Sequence, residues 1–425
     1  MVACRAARGA PQSVTTAVEH ALTVERVVAG GDGLARDDGL AVFIPRTLPG
    51  EQVRASIRMR GRLARGELIA IDTPSPARVQ PRCGHYTDDD CGGCQLQHAD
   101  YAQQLRIKAE LVVEAFRRIA RRAVDTPRVH AAPHPWRYRR KLTLALRRDD
   151  AGWYAGLRPH HDPAAVFRLQ DCLITCEQVV ETWREVLRAA RYLPEANVLR
   201  GSVQIADDGG LVLHIEGGRT WPAVGDLHAA VPELHTVLWT PEHGHRQLVA
   251  SRGNAATPAG FMQVNAEVAA TLLDHVVSAI EAHEPRVVVD AYAGEGAAAV
   301  RLAGRGVRVT AIEVDRDAAR IAEQRVAPPS SVVCARVERA LAGALPADVV
   351  LLNPPRGGLH HDVCRVLAAS LATTRAVIYV SCDPATLARD VSRLDGWHLA
   401  RLECFDMFPQ TSHVETVCEL LPAAA

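Results

Sequence analysis

The chain has 425 residues, 48% hydrophobic and 23% charged, with a formal net charge of zero. That composition is globular and leaves room for two or three domains. It excludes a disordered chain, and no apolar run approaches the roughly 20 residues of a membrane-spanning helix. The N-terminal Met1–Gln12 carries charge with no apolar stretch behind it, so no secretory signal is expected and the cytoplasm is the expected location.

The zero hides an asymmetry. Residues 1–150 carry 25 Lys+Arg against 17 Asp+Glu, and residues 151–425 carry 24 against 32. A basic first part points to a nucleic-acid partner. Lys108 and Lys141 are the only lysines; every other cation is arginine. Eleven cysteines make an odd count without the spacing of a disulfide framework. Cys83, Cys91 and Cys94 cluster, which in a reducing compartment reads as metal binding.

In chain order, residues 13–72 alternate apolar and polar positions between Gly-rich turns, predicting a small β-barrel. Arg54, Arg58, Arg60, Arg62 and Arg65 crowd its last strands, as an edge protected by charge or as an RNA-facing surface. Thr73–Pro76 reads as a linker. The cysteine segment follows, then a helix over 95–123. A strand-rich region over 133–250 carries a helix near 176–192, and its Trp136–Lys141 mixes aromatics with cations. From about Pro258, apolar strands alternate with helices, which predicts a mostly parallel sheet. In such sheets the ligand lies beyond the carboxyl ends of the strands.

Four strand ends therefore carry the chemistry. Asp290 precedes a turn containing Gly294 and Gly296, which lets backbone approach a ligand. Glu313 ends the next strand, where a carboxylate can accept both ribose hydroxyls of an adenosine group. The ligand is a dinucleotide or S-adenosylmethionine. Asn353-Pro354-Pro355-Arg356, a rigid polar wall suited to a planar base, favours the second. Cys382 follows a strand and opens a helix at Pro384, where the helix N-terminus favours a thiolate. Glu415, just before the last strand, is a candidate general base.

Four stretches closely resemble the RNA (uracil-5-)-methyltransferase family: Ser381–Asp390, Asp406–Glu415, Phe261–Asn265 and Asn353–Leu359. Gly31–Arg36 and Leu48–Glu51 resemble the TRAM domain of its 23S ribosomal RNA branch. The resemblance implies an α/β fold: a Rossmann-like class I methyltransferase domain over 251–425, preceded by a TRAM/OB-like barrel over 13–72 and a strand-rich α+β central domain over 75–250. The 95–123 helix is free to pack on the C-terminal domain. It implies that Cys382 attacks uracil C6, C5 takes the methyl group, and Glu415 removes the C5 proton. It further implies that Gln263, Tyr292, Gly294, Glu313 and Asn353 bind S-adenosylmethionine, and that Arg356 holds the thiolate site or the substrate. Cys83, Cys91, Cys94 and Cys172 match the ligands of a [4Fe-4S] cluster, with Cys176 as rival for the fourth. Spacing alone leaves zinc open. The expected partner is RNA, 23S rRNA first and tRNA second, with no membrane and a monomer as the default.

The chain departs from the family at four places. Seven residues, including Asp88-Asp89-Asp90, separate Cys83 from Cys91 where five are usual. Asn353 replaces an aspartate. Ala297 stands at a polar cofactor contact, and Arg336 where an acidic or amide residue near adenine is expected. Two further readings follow from these residues: amino-group methylation, since Asn-Pro-Pro occurs at such sites, and a non-catalytic RNA-binding protein with a degraded cofactor pocket.

Overall fold

The computed structural model describes residues 19–60, 62–253 and 263–423, so residues 13–18 of the expected barrel, and Phe261 and Met262, lie outside the described residues. The chain divides into two compact units, Met1–Arg78 and Val79–Ala425.

In the first unit, the strands Glu19–Val27, Gly33–Asp37, Leu40–Ile44, Gln52–Arg60 and Leu63–Thr73 close into a barrel in the order first, second, third, fifth, fourth. Alternation sends Leu22, Val24, Ala35, Val42, Ile44, Val53, Ala55 and Ala64 into one core. Several of the crowded arginines are paired. Arg54 reaches Glu19 at 3.0 Å and Asp72 at 3.2 Å, Arg58 reaches Glu67 at 3.0 Å, and Arg65 pairs with Asp32. The expected linker is pinned instead of free: buried Glu51 accepts from Ser75 N at 3.1 Å and from Arg78 Nε at 2.6 Å.

The second unit holds two sheets. The first has seven strands, in spatial order Gln247–Ser251, Leu234–Thr240, Leu211–Glu216, Val198–Ile205, Lys141–Asp149, Gly152–Leu157 and Phe167–Arg168. The helix Glu177–Arg188 buries Val179, Val180, Trp183 and Val186 against it. This helix stops earlier than expected, because a 3₁₀ turn, Ala190–Tyr192, takes over.

The other sheet has eight strands, in order Ser331–Cys334, Arg308–Glu313, Val287–Ala291, Val349–Leu352, Ala376–Ser381, Glu415–Pro422, Trp397–Phe405 and Arg128–His130. The first five are mutually parallel; Glu415–Pro422 runs antiparallel to both its neighbours. Val349–Leu352 and Ala376–Ser381 are buried throughout, as expected of strands covered on both faces. The strand Arg128–His130 had no counterpart in the sequence reading: three residues carry too little periodicity to announce a strand.

The helix expected over 95–123 spans Tyr101–Ala115 and runs on as a π turn over Phe116–Ala120. It starts late because Gln95 N and Leu96 N both donate to Gln410 O, at 3.1 and 3.0 Å, while Asp100 caps the helix by accepting from Gln103 N at 2.7 Å. Its Val112 and Phe116 join the core beneath the eight-stranded sheet. Its Lys108, fully buried, pairs with the fully buried Asp406 and donates to Phe408 O at 2.9 Å, while Tyr101 Oη donates to Asp406 at 2.8 Å. Lys108→Met leaves the Asp406 carboxylate buried without its counter-charge. It is expected to lower the urea midpoint by an amount equivalent to about 3–5 kcal/mol, and pairing it with Asp406→Leu should restore part of the loss.

Candidate active site

Register creates the first part of the site. In the antiparallel pairing of Ala376–Ser381 with Glu415–Pro422, Ser381 faces Thr416, so the next step along each strand brings Cys382 opposite Glu415. Asp383 caps the helix Pro384–Val391 by accepting from Thr386 N at 2.8 Å, which starts that helix directly after Cys382. Glu415 is 6% exposed. Burial pushes its carboxyl up to about 7, and only the positive charge of Arg356 pulls it back. Burial and the neighbouring Glu415 raise the half-buried Cys382 thiol, while Arg356 lowers it by charge and by hydrogen bonding. Cys382, Glu415 and Arg356 are therefore one electrostatic unit: a thiol, a carboxyl poised near neutrality and a guanidinium that favours the ionised form of both. The imidazole of His413 also lies near Arg356, and its ring meets Phe408 edge-on at 5.9 Å.

The second part lies at the ends of Val287–Ala291 and Arg308–Glu313. Tyr292 has a left-handed backbone (φ 63°), rare for a bulky side chain and typical of a tight functional turn. Gly296, at φ 77°, turns the chain into the helix Ala297–Ala303, where a side chain would meet Ala322. Glu313 is immobilised by three backbone amides: Gly294 N at 2.8 Å, Val314 N at 2.7 Å and Asp315 N at 2.8 Å. Asn353 N donates to Ala291 O at 3.2 Å, which draws the Asn-Pro-Pro-Arg loop to the same strand ends, with the Asn353 side chain exposed. Gln263 is half-buried, two residues ahead of Asn265, the cap of the helix Ala266–Glu281.

Two acidic residues stand out here that the expected site set omits. Asp290 is 2% exposed, its Oδ2 has no hydrogen-bond partner, and burial with the nearby Glu313 charge pushes its carboxyl up to about 7. Its place before the glycine turn was the available signal. Glu338 lies near enough to Tyr292 to help burial raise the phenol. Arg336 is exposed and 3.6 Å from Glu338.

The third part is the cysteine cavity. Cys83, Cys91, Cys94 and Cys172 line one cavity of about 290 Å³, together with Arg139 and Lys141. Cys176 is outside that lining and stands at the start of the helix Glu177–Arg188. Burial raises the Cys94 thiol strongly, and the charges of Cys172, Cys91 and Cys83 add to it. The inserted carboxylates are engaged locally: Asp89 with His85 at 2.6 Å, and Asp90 with His161. Among the described residues, the one set of three metal-type ligand atoms within 4.8 Å of each other is His130, His275 and Glu403. There Glu403 already accepts from Arg401 and from His130, each at 2.6 Å.

The family model for tRNA (uracil-5-)-methyltransferase matches residues 332–421, the stretch holding Asn353, Cys382 and Glu415. The chain is 32% identical to the 23S rRNA (uracil(1939)-C(5))-methyltransferase RlmD of Dichelobacter nodosus, over 93% of this chain and 97% of that one. The chain belongs to the RNA (uracil-5-)-methyltransferase family. Another relative is the RlmD of Chromohalobacter salexigens, 31% identical over 97% of this chain and 91% of that one. The fold of this RNA (uracil-5-)-methyltransferase family member matches the Pyrococcus abyssi tRNA (uracil-54, C5)-methyltransferase, solved with S-adenosyl-L-homocysteine. The TM-score is 0.72 at 21% identity, over 94% of this chain and 99% of that one.

The raised Glu415 carboxyl has a consequence for stability. In the unfolded chain it ionises near 4.5; in the fold it holds its proton to about 7. Stability is therefore lost as pH rises from 4.5 to 7, and the penalty stays constant above that. Glu415→Gln removes the penalty. It is expected to melt above the parent at pH 8, by the equivalent of about 1–3 kcal/mol, with the two converging below pH 4.5.

Proposed function

We propose that this chain methylates C5 of a uridine in 23S rRNA with S-adenosylmethionine as methyl donor. The observation that carries this reading is the juxtaposition of Cys382, Arg356 and Glu415 at adjacent strand ends. Uracil C5 is a poor nucleophile. Addition of the Cys382 thiolate to C6 makes a C5 carbanion equivalent, and Arg356 favours the thiolate that begins the step. S-Adenosylmethionine, when bound, supplies an electrophilic methyl group for C5. Glu415, poised near neutrality, then takes the C5 proton, and the electrons of that C–H bond restore the C5–C6 double bond as the thiolate leaves. The target base must leave its stack to meet a thiol set at a strand end.

The residues at the second part of the site fit this cofactor. Glu313 is held in place by backbone amides, with Oε2 engaged by only one of them, and Asp290 offers a buried oxygen that still lacks a partner. Tyr292, Gly294, Asn353 and Gln263 complete the proposed set. Asn353, Ala297 and Arg336 lie at exposed positions, where substitution costs the fold little. The Cys382–Glu415 pair disfavours a non-catalytic protein and is not needed for amino-group methylation.

In this reading the barrel over 13–72 binds RNA, the region over 75–250 carries the cysteine site, and the region over 251–425 carries the chemistry. Cys83, Cys91, Cys94 and Cys172 hold a [4Fe-4S] cluster; their lining of one common cavity supports a shared centre. The 23S rRNA target rests on the two RlmD relatives, and tRNA is the second reading, favoured by the fold match.

The test is methyl transfer from labelled S-adenosylmethionine to separate unmodified 23S rRNA and tRNA pools, with protein purified without oxygen. Label is expected in 5-methyluridine from 23S rRNA, and none with Cys382→Ala. Label from tRNA alone would overturn the target, and label elsewhere than C5 of uridine would overturn the reaction. For the cluster, Cys172→Ser is expected to lose iron and the visible absorption, whereas Cys176→Ser keeps both. Stoichiometric zinc without iron would refute it.

A further inference from the structure

Arg356 sits on an exposed loop, yet its guanidinium must stay beside one thiol. The loop is clamped by the helix Pro384–Val391 at successive positions. Thr386 Oγ1 donates to Arg356 O at 3.1 Å, and Arg389 Nη2 donates to Gly357 O at 2.7 Å. Leu359 N donates to Asp390 Oδ2 at 2.7 Å. Between them Gly358 has φ 78°, and a Cβ there would lie 2.2 Å from Asp390 Oδ2 and 2.4 Å from Arg389 Nη2, so loop and helix touch backbone to side chain.

Asp390 organises this clamp. It is fully buried. Its Oδ2 also accepts from Tyr379 Oη at 2.8 Å, on the strand that leads to Cys382. Its Oδ1 accepts from Arg389 Nε at 2.9 Å, which aims the rest of that guanidinium at Gly357 O. Arg393 stands further off at 3.7 Å. A buried carboxylate is costly unless fully engaged, and its hydrogen-bond donors Leu359, Tyr379 and Arg389 belong to the loop, the strand and the helix around the thiol.

We propose that Asp390 is a positioning residue: by locking the Arg356 loop to the helix that follows Cys382, it fixes the guanidinium against the nucleophilic thiol. This rests on the reading of Cys382 as nucleophile. The charged groups that act on the thiol are Glu415, Arg356 and Asp383, with His413 beside them. Asp390 reaches the thiol through the clamped Arg356 loop. The sign separates the two routes. Losing a negative charge that acted directly would make the thiol easier to ionise; losing the clamp withdraws Arg356 and makes it harder.

The experiment measures iodoacetamide alkylation of Cys382 against pH by peptide-resolved mass spectrometry, on the full cluster-loaded chain without RNA. Asp390→Asn is expected to shift the profile upward by about one unit, making alkylation roughly tenfold slower at neutral pH. Methyl transfer should show a comparable fall in kcat, with KM for S-adenosylmethionine within about twofold. Arg356→Gln should give the same shift, and the double variant no more than either alone, as expected for residues acting in one chain. An unchanged or downward profile in Asp390→Asn, or a shift that adds to that of Arg356→Gln, would overturn the proposal. Should Asp390→Asn fail to fold, Thr386→Val cuts one clamp bond at constant volume and is expected to slow alkylation by about threefold; no change would count equally against it. The alkylation profile is read without methyl transfer, so absence of 5-methyluridine from the parent would sink the proposed reaction independently of the clamp.

Discussion

The antiparallel insertion of Glu415–Pro422 between Ala376–Ser381 and Trp397–Phe405 is the constraint on which the rest of the site depends. A purely parallel sheet presents only carboxyl ends at its ligand-binding edge. Reversing one strand brings an amino end to that edge, so the residue that starts the strand stands next to the residue that ends its neighbour. Cys382 and Glu415 meet for that reason. A slip of one residue would turn Glu415 to the other face of the sheet. Thr416, Val417, Cys418 and Leu420 are all buried, so both faces of this strand are covered.

The loop from Asp406 to Val414 that delivers Glu415 is itself held from outside the sheet. Lys108 and Tyr101 grip Asp406, Gln104 and Gln410 exchange hydrogen bonds at 3.0 and 2.9 Å, and Tyr138 Oη donates to Pro409 O at 3.0 Å. The backbone of Gln95 and Leu96, just past Cys94, donates to Gln410 O. Residues far earlier in sequence thus support the loop that leads to Glu415, so the packing of the second unit crosses its sequence order. The helix Tyr101–Ala115 and the strand Arg128–His130 both build on the methyltransferase sheet.

Much of this was legible because strand ends in a parallel sheet are ligand positions. Asp290, Glu313, Asn353 and Cys382 each follow an apolar run and precede a turn, and the structure places all four at one edge. Cys172 was separable from Cys176 only by resemblance; the cavity lining separates them physically. Arg128–His130 was too short for any period to register. The late start of the Tyr101–Ala115 helix depends on Gln410, a partner more than half the chain away. Asp390 carries no role that its sequence position announces, because its partners Leu359 and Tyr379 come from other elements and only folding assembles them.

The composition acquires a meaning at Lys108. The chain writes its cations as arginine at all but two positions, wherever a guanidinium does as well as an ammonium. At Lys108 it does not. The side chain is wholly enclosed, and its three N–H donors have one carboxylate and one carbonyl to satisfy in a space sized for an ammonium. A planar fork with five donors would overfill that space and leave donors unmatched. Lys108 is thus a place where volume and donor count call for an ammonium, and its enclosure marks how tightly the loop that leads to Glu415 is built.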